Sequence, residues 1–251
     1  SNLNSRFVLM GNPNSGKTAI FNLLTGMDQK VSNYPGITVE EKMGTAYLSA
    51  SKSVEIIDLP GAYSLMSESL EENIVTKQVF DWMHNTNIPR AIISVIDATN
   101  LSRNLYFTTQ LMELDIPIIV VLNMMDRIKV RKQNIDIDAL KDILGVSVII
   151  PISARKKWGI EDLKSAMNSI DGNHNVKSKL KLQIPTQIKE NIRPVIHFFQ
   201  NHFSYNNTLA LGQSIRSITK LSLLRYYKNT NILSMDDFNK LEDICFDVAR
   251  K

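Results

Sequence analysis

Cysteine is almost absent from this chain: Cys245 is the single one in 251 residues. An internal disulfide is therefore impossible, and the usage fits a reducing compartment. Cys245 falls in an amphipathic helical pattern, where core packing is the expectation rather than reactivity. Long apolar runs are missing too. The longest, Ile116 to Leu122, is far short of the ~18 residues of a membrane span and suits a buried strand. No signal-peptide pattern opens the chain at Ser1. A strong charge of either sign is also lacking. The net charge of +4 is too mild to argue for nucleic acid. There is no initiator methionine, and Arg250-Lys251 arrive inside a helical pattern, so the natural chain is expected to continue. No internal repeat or low-complexity segment stands out. What is present is ordinary for a soluble globular protein: 43% hydrophobic and 22% charged residues, enough for one large domain or two small ones.

The first two-thirds alternates two patterns. Arg6–Met10, Thr45–Leu48, Val54–Asp58, Ala91–Asp97, Pro117–Asn123 and Val146–Ile150 read as strands. Several are nearly continuous Val/Ile/Leu runs, as in strands buried on both faces. Helical patterns lie between them, over 16–24, 71–84, 102–113, 136–144 and 160–169. This order predicts an α/β fold with a mainly parallel sheet and helices on both faces. Its ligand site is expected at the C-terminal ends of the strands. A polar, Asn- and Lys-rich linker follows, 171–181. Beyond it three helices are expected, over 187–203, 209–227 and 235–249. Ser234-Met235-Asp236-Asp237 fits a capping box for the last. The domains are thus read as 1–170, α/β, and 171–251, a small all-α helical subdomain.

Gly11-Asn12-Pro13-Asn14-Ser15-Gly16-Lys17-Thr18 fits the phosphate-binding pattern G-x-x-x-x-G-K-[ST], between a strand and a helix. Glycines 11 and 16 let the backbone curl so that its N–H groups face phosphate oxygens. The helix N-terminus adds a positive dipole end. Lys17 is assigned to the β- and γ-phosphates and the Thr18 hydroxyl to magnesium. Asp58-Leu59-Pro60-Gly61 closes a strand and fits D-x-x-G. Asp58 can hold magnesium through a water, and the Gly61 N–H can approach a γ-phosphate. Thr38, in Tyr34-Pro35-Gly36-Ile37-Thr38-Val39-Glu40, lies between these motifs. It is the candidate switch threonine, contacting magnesium and γ-phosphate only in the triphosphate state.

Asn123-Met124-Met125-Asp126 fits N-x-x-D. A carboxylate at Asp126 can accept from guanine N1 and its 2-amino group, which adenine cannot match; such charge-assisted bonds are worth roughly 1.5–3 kcal/mol each. Ser153-Ala154-Arg155 supplies the partner loop, with the Ala154 N–H expected on guanine O6. Together these motifs predict GTP and GDP as ligands.

With all five motifs in order, residues 6–170 resemble a Ras-like, translation-factor-related G domain. The wording is closer to one family. Gly-Asn-Pro-Asn-Ser-Gly-Lys-Thr, Tyr-Pro-Gly-Ile-Thr-Val-Glu, Asp-Leu-Pro-Gly-Ala-Tyr-Ser-Leu and Asn-Met-Met-Asp resemble FeoB, the bacterial ferrous-iron transporter with a cytosolic N-terminal GTPase. The resemblance implies GTP hydrolysis and a helical subdomain that slows GDP release. It implies a membrane transporter domain C-terminal to this chain and a place at the cytoplasmic face of the bacterial inner membrane. It also implies potassium activation through Asn14, whose other reading is a turn former that tolerates unusual dihedrals. Ala62 stands where Ras-like proteins carry a water-orienting glutamine, so hydrolysis is expected to be slow and to rest on Lys17, Thr38, Gly61 and Asn14. Met124 replaces the usual lysine beside the base and can pack on it without charge.

Two further readings stay open at this point. An RNA-binding ribosome-assembly GTPase shares the motifs, but the tail lacks a G-x-x-G clamp, and Lys177, Lys179, Lys181 and Arg225 are too scattered for a basic stripe. No nucleic-acid partner is therefore expected. A switch that binds without hydrolysing is the other, motivated by Ala62. Glu71-Glu72, His84 and His197 lack metal-ligand spacing. A homo-oligomer is left open, and its state is not readable from the sequence.

Overall fold

The structure, a computed structural model, describes residues 6–26, 29–34, 39–65, 70–84, 87–172, 184–219, 221–230 and 232–250. The chain divides into two compact units, Ser1–Leu180 and Lys181–Lys251.

The first unit runs β1 (Arg6–Gly11), α1 (Lys17–Thr25), β2 (Gln29–Asn33), β3 (Glu40–Ser49), β4 (Lys52–Asp58), α2 (Leu70–Met83), β5 (Ala91–Asp97), α3 (Leu101–Met112), β6 (Ile118–Asn123), α4 (Met125–Val130), α5 (Ile137–Leu144), β7 (Ile149–Pro151) and α6 (Ile160–Gly172). The strands form one sheet in the order β2-β3-β4-β1-β5-β6-β7. β4, β1, β5, β6 and β7 are parallel neighbours. β2 and β3 add an antiparallel hairpin at one edge. The expected mainly parallel sheet is therefore present, with β2 as an extra strand.

Both faces of the sheet are covered, as the unbroken apolar runs required. Phe7, Leu9, Ile93 and Val95 pack with Ile20, Phe21 and Leu24 of α1 and Leu163 and Met167 of α6. Successive strand residues point to opposite faces. Ser94 accordingly turns the other way and shares a 2.9 Å hydrogen bond with Thr108 of α3. All six residues of β6 are buried. Burying each such Val, Leu or Ile side chain contributes about 1.5–3 kcal/mol, which fixes the register of the central strands and so the height at which their C-terminal ends stop.

The second unit is helical: α7 (Thr186–Asn191), α8 (Arg193–Phe203), α9 (Asn207–Thr219), α10 (Leu221–Asn229) and α11 (Met235–Ala249). The expected helix over 187–203 is two helices. Ile192 ends α7, and Pro194 stands in the first turn of α8, where proline's missing N–H does no harm. The expected helix over 209–227 is likewise α9 and α10. α11 keeps the expected span, and Ser234 caps it by accepting the Asp237 N–H. α9 packs against α8, α10 and α11. Aromatic rings fill the interior, with Phe203 stacked on Tyr205 at 5.1 Å and Phe199 tilted on Tyr227 at 5.8 Å. Cys245 is buried, and that burial pushes its thiol up to about 12.

The boundary expected at residue 170 falls inside α6. The expected linker, with Lys177, Lys179 and Lys181, lies almost wholly outside the described residues, as does Thr38. Among the described residues, no helix is long and apolar enough to cross a membrane.

Candidate nucleotide-binding site

The loop between β1 and α1 needs two left-handed residues, and the sequence supplies tolerant types at both: Asn14 has φ 64° and Gly16 φ 86°. A Cβ on Gly16 would collide with Asn123 Nδ2, and one on Gly11 with the Val95 carbonyl oxygen. Gly16 is the N-cap of α1 and offers no side chain to cap the first-turn amides. They open at the edge of a cleft of about 380 Å³, lined by the loop and by Gly61. A bare helix N-terminus of this kind suits an anion. Asn12 Oδ1 and Ser15 Oγ are buried with no hydrogen-bond partner among the described residues.

Two phosphate motifs meet at Asp58, the last residue of β4. Lys17 Nζ lies 2.5 Å from Asp58 Oδ1, and the Thr18 hydroxyl donates to Asp58 Oδ2 at 3.0 Å. The Lys17 and Asp58 side chains are only 9% and 3% exposed. Each charge is thus neutralised by the other, since an unpaired buried charge is costly. A hydroxyl and a carboxylate at this separation are hard oxygen donors and fit magnesium. Gly61 presses on the loop, where a Cβ would stand 2.8 Å from the Pro13 nitrogen. The Ala62 N–H donates to the Gly11 carbonyl at 3.1 Å.

Thr38 was the third expected magnesium contact. The described residues on either side of it form the base of the β2–β3 hairpin, where the Tyr34 N–H donates to Val39 O at 2.9 Å. Burial, then the charges of Glu41 and Asp58, push the Tyr34 hydroxyl well above its ordinary range. Its oxygen is buried without a partner among the described residues. The sequence had given Tyr34 no role.

Asn123 joins three strand ends. Its Nδ2 donates to Ser15 O at 2.9 Å, and its Oδ1 accepts the Ala154 N–H at 3.0 Å. The Ala154 amide, expected on guanine O6, is thus occupied by Asn123 in this arrangement. Asp126 is half-buried in the first turn of α4 and accepts the Ser153 hydroxyl at 2.7 Å. Ser153 Oγ also accepts the Lys156 N–H at 3.2 Å. Met124 takes a left-handed φ of 64° as the N-cap of α4, and its Cε would lie 3.9 Å from a Cβ on Gly16. Its thioether therefore flanks the phosphate loop on the expected base side. Arg155 is exposed and is not drawn into the set.

Other partners were not readable from spacing. Lys129 stands over the Trp158 ring at 4.9 Å, bracing the loop from Ser153 to Trp158. Asn12 Nδ2 donates to the Arg103 carbonyl at 3.3 Å. Among the described residues no cluster of three His, Cys, Asp or Glu side chains could hold a metal ion.

The family model of ferrous iron transport protein B matches residues 5–167. The chain belongs to that family. It is 37% identical to the Fe(2+) transporter FeoB of Legionella pneumophila (strain Lens) over 97% of its own length. It is 44% identical to that of Salmonella typhimurium over 67% of its length. It spans only 34% of the first relative and 22% of the second. Among solved structures, the cytosolic domain of L. pneumophila FeoB superposes with a TM-score of 0.77 at 34% identity, covering 98% of this chain and 96% of that one. S. thermophilus NFeoB bound to GDP.AlF4- and K+ gives 0.74 at 31% identity, covering 98% and 90%. The first unit accordingly has the Ras-like G-domain fold of FeoB proteins.

Proposed function

We propose that the chain binds GTP and GDP and hydrolyses GTP, as the cytosolic regulatory part of a bacterial ferrous-iron transporter. The observation that carries this is the convergence at the C-terminal ends of the parallel strands. The phosphate loop, Asp58 and Gly61 form one end, Asp126, Ser153 and Ala154 the other, and Asn123 bonds to both. Its relatives are Fe(2+) transporters of about three times its length, which supports a membrane domain beyond residue 251 and a place at the cytoplasmic face of the inner membrane.

Lys17 and the α1 amides hold the β- and γ-phosphates. Thr18, Asp58 and Thr38 hold magnesium, which neutralises charge on the phosphates. Asp126 accepts from guanine N1 and the 2-amino group, and Met124 packs on the base. The Ala154 N–H reaches O6 when Asn123 releases it. Gly61 presents its N–H to the γ-phosphate. Ala62 cannot orient water, so the intrinsic rate is slow, on the order of 10⁻⁴–10⁻³ s⁻¹ without added help. A potassium ion held by Asn14 would supply positive charge where negative charge develops during phosphoryl transfer. Asn14 has the left-handed backbone that its turn-forming role required, and its side chain is exposed beside the cleft, which is compatible with both roles. The helical unit slows GDP release.

The test is calorimetry with GTP, GDP and ATP, then single-turnover hydrolysis in potassium, sodium and lithium chloride at matched ionic strength. Guanine nucleotides are expected to bind and ATP not to. Hydrolysis is expected to be fastest in potassium, with Asn14→Ala losing that advantage and keeping affinity. Equal affinity for ATP refutes the base assignment, and one rate in all three salts refutes the role of Asn14.

A further inference from the structure

With alanine at 62, the residue after Gly61 has no side chain that could orient an attacking water, so the aim of the backbone groups at Gly61 and Ala62 matters. A backbone N–H has no rotamers, so its aim depends on where the chain is held. At its start the loop is tied to β1. The Leu59 N–H donates to Leu9 O at 3.2 Å and the Ala62 N–H to Gly11 O at 3.1 Å. At Leu65, which is 1% exposed, both backbone groups are held by side chains from two helices. The Leu65 N–H donates to Gln110 Oε1 of α3 at 2.9 Å, and its carbonyl accepts the Thr76 hydroxyl of α2 at 2.7 Å. Gln110 and Thr76 are themselves buried, 5% and 2% exposed. Only Tyr63 and Ser64 separate the two sets of ties. Over Tyr63 stands the Arg103 guanidinium, 4.3 Å from the ring centroid, and the Arg103 carbonyl is the one bonded by Asn12 of the phosphate loop.

We infer that Gln110 and Thr76 are positioning residues for GTP hydrolysis: by fixing Leu65 they hold the Gly61–Ala62 turn against Pro13, at the γ-phosphate end of the cleft. The inference rests on the GTPase reading above. Buried backbone groups need partners in any loop. Here β1 supplies the partners of Leu59 and Ala62, while those of Leu65 come from α2 and α3, so the far side of the turn is placed by those two helices. A drift of 1 Å in a reacting group can cost about 100-fold in rate. GDP has no γ-phosphate to feel that drift. Loss of either tie therefore lowers the chemical step and spares GDP.

The test uses the 251-residue chain in potassium chloride. Thr76→Val removes the hydroxyl at nearly constant volume, Thr76→Ser restores it, and Gln110→Met removes the acceptor. Single-turnover hydrolysis at saturating GTP and the GDP dissociation constant are measured for each. Thr76→Val and Gln110→Met are expected to hydrolyse about tenfold or more slowly while GDP affinity stays within about twofold, and Thr76→Ser to recover the wild-type rate. Wild-type rates in both variants overturn the inference. So does a GDP affinity that falls by the same factor as hydrolysis, or a Thr76→Ser as slow as Thr76→Val. If Gln110→Met does not fold, the valine and serine variants at 76 decide alone. A wild-type chain that hydrolyses no GTP overturns the GTPase reading instead.

Discussion

Asp126 accepts the Ser153 hydroxyl on Oδ1, and no hydrogen bond to Oδ2 is made among the described residues. The carboxylate is thus oriented before any base arrives. Asp126→Asn keeps the shape but puts a donor where guanine also donates. It is expected to weaken GTP by roughly tenfold or more and to favour xanthine nucleotides, whose 2-oxo group accepts from an amide. Competition calorimetry with GTP and XTP checks this, and an unchanged preference counts against Asp126 as the base reader. Lys17 has a second duty that its motif does not announce. It neutralises Asp58 at 3% side-chain exposure. Lys17→Ala is expected to abolish tight nucleotide binding and also to lower the melting temperature of the nucleotide-free chain. Breaking a buried pair costs about 3–5 kcal/mol, or on the order of 10 °C at this chain length. Calorimetric scans of both proteins without nucleotide test it; an unchanged midpoint shows that Asp58 is satisfied without Lys17. The residues of the motifs were legible because each occupies a fixed offset from a glycine or a strand end. Their partners were not. Nothing near Lys17 in the chain points to residue 58 as its free-state counter-ion, or near Leu65 to residue 110.

Among the elements, the buried strands announced themselves and the exposed one did not. β5 and β6 are apolar apart from Ser94 and their last residues, Asp97 and Asn123, and their register follows. β2 reads Gln-Lys-Val-Ser-Asn, with four of its five residues exposed. It is an edge strand, held by pairing with β3 rather than by a buried face, and an edge needs no hydrophobic signature. The split of the tail's first helix was readable in principle, because a proline inside a helix removes a backbone hydrogen bond and clashes with the carbonyl four residues earlier. α11 was legible to the residue through its capping box. Ser234 accepts the Asp237 N–H at 3.1 Å and donates to Asp237 Oδ2 at 2.7 Å. That bond comes first, and His202 second, in holding the Asp237 carboxyl below its usual range. A depressed folded-state pKa contributes stability above the unfolded value of 3.8, which is lost as pH falls through the folded one. Loss of an N-cap hydroxyl costs about 1 kcal/mol. Urea melts of wild type and Ser234→Ala at pH 7 and pH 3 are expected to differ more at pH 7, because the carboxylate's contribution shrinks once pH falls below the unfolded value. An equal difference at both pH values means that only the amide cap matters.

At the scale of the whole chain, the two units have separate interiors, one built on a sheet and the other on stacked aromatic rings. A cut meant to separate them has to respect α6. Its Ile170 is 1% exposed, and the carbonyl of Ile170 accepts from Arg90 at 2.7 Å, so ending at 170 would fray a helix that belongs to the first unit. A chain ended at 180 is expected to stay folded, to bind GDP and to release it faster than the 251-residue chain. Stopped-flow displacement of a fluorescent GDP analogue measures the difference, and identical off-rates remove the helical unit from control of release. Asn123 carries a consequence of another kind. With one amide end on Ser15 and the other on Ala154, it makes the two halves of the cleft thermodynamically reciprocal. Guanosine and pyrophosphate, offered as separate molecules, are assigned to different halves of the cleft. Each should nonetheless raise the affinity of the other by the same factor, and titrating each in the presence of the other measures that factor. In Asn123→Ala the factor should fall to one, leaving two fragment sites that no longer know of each other.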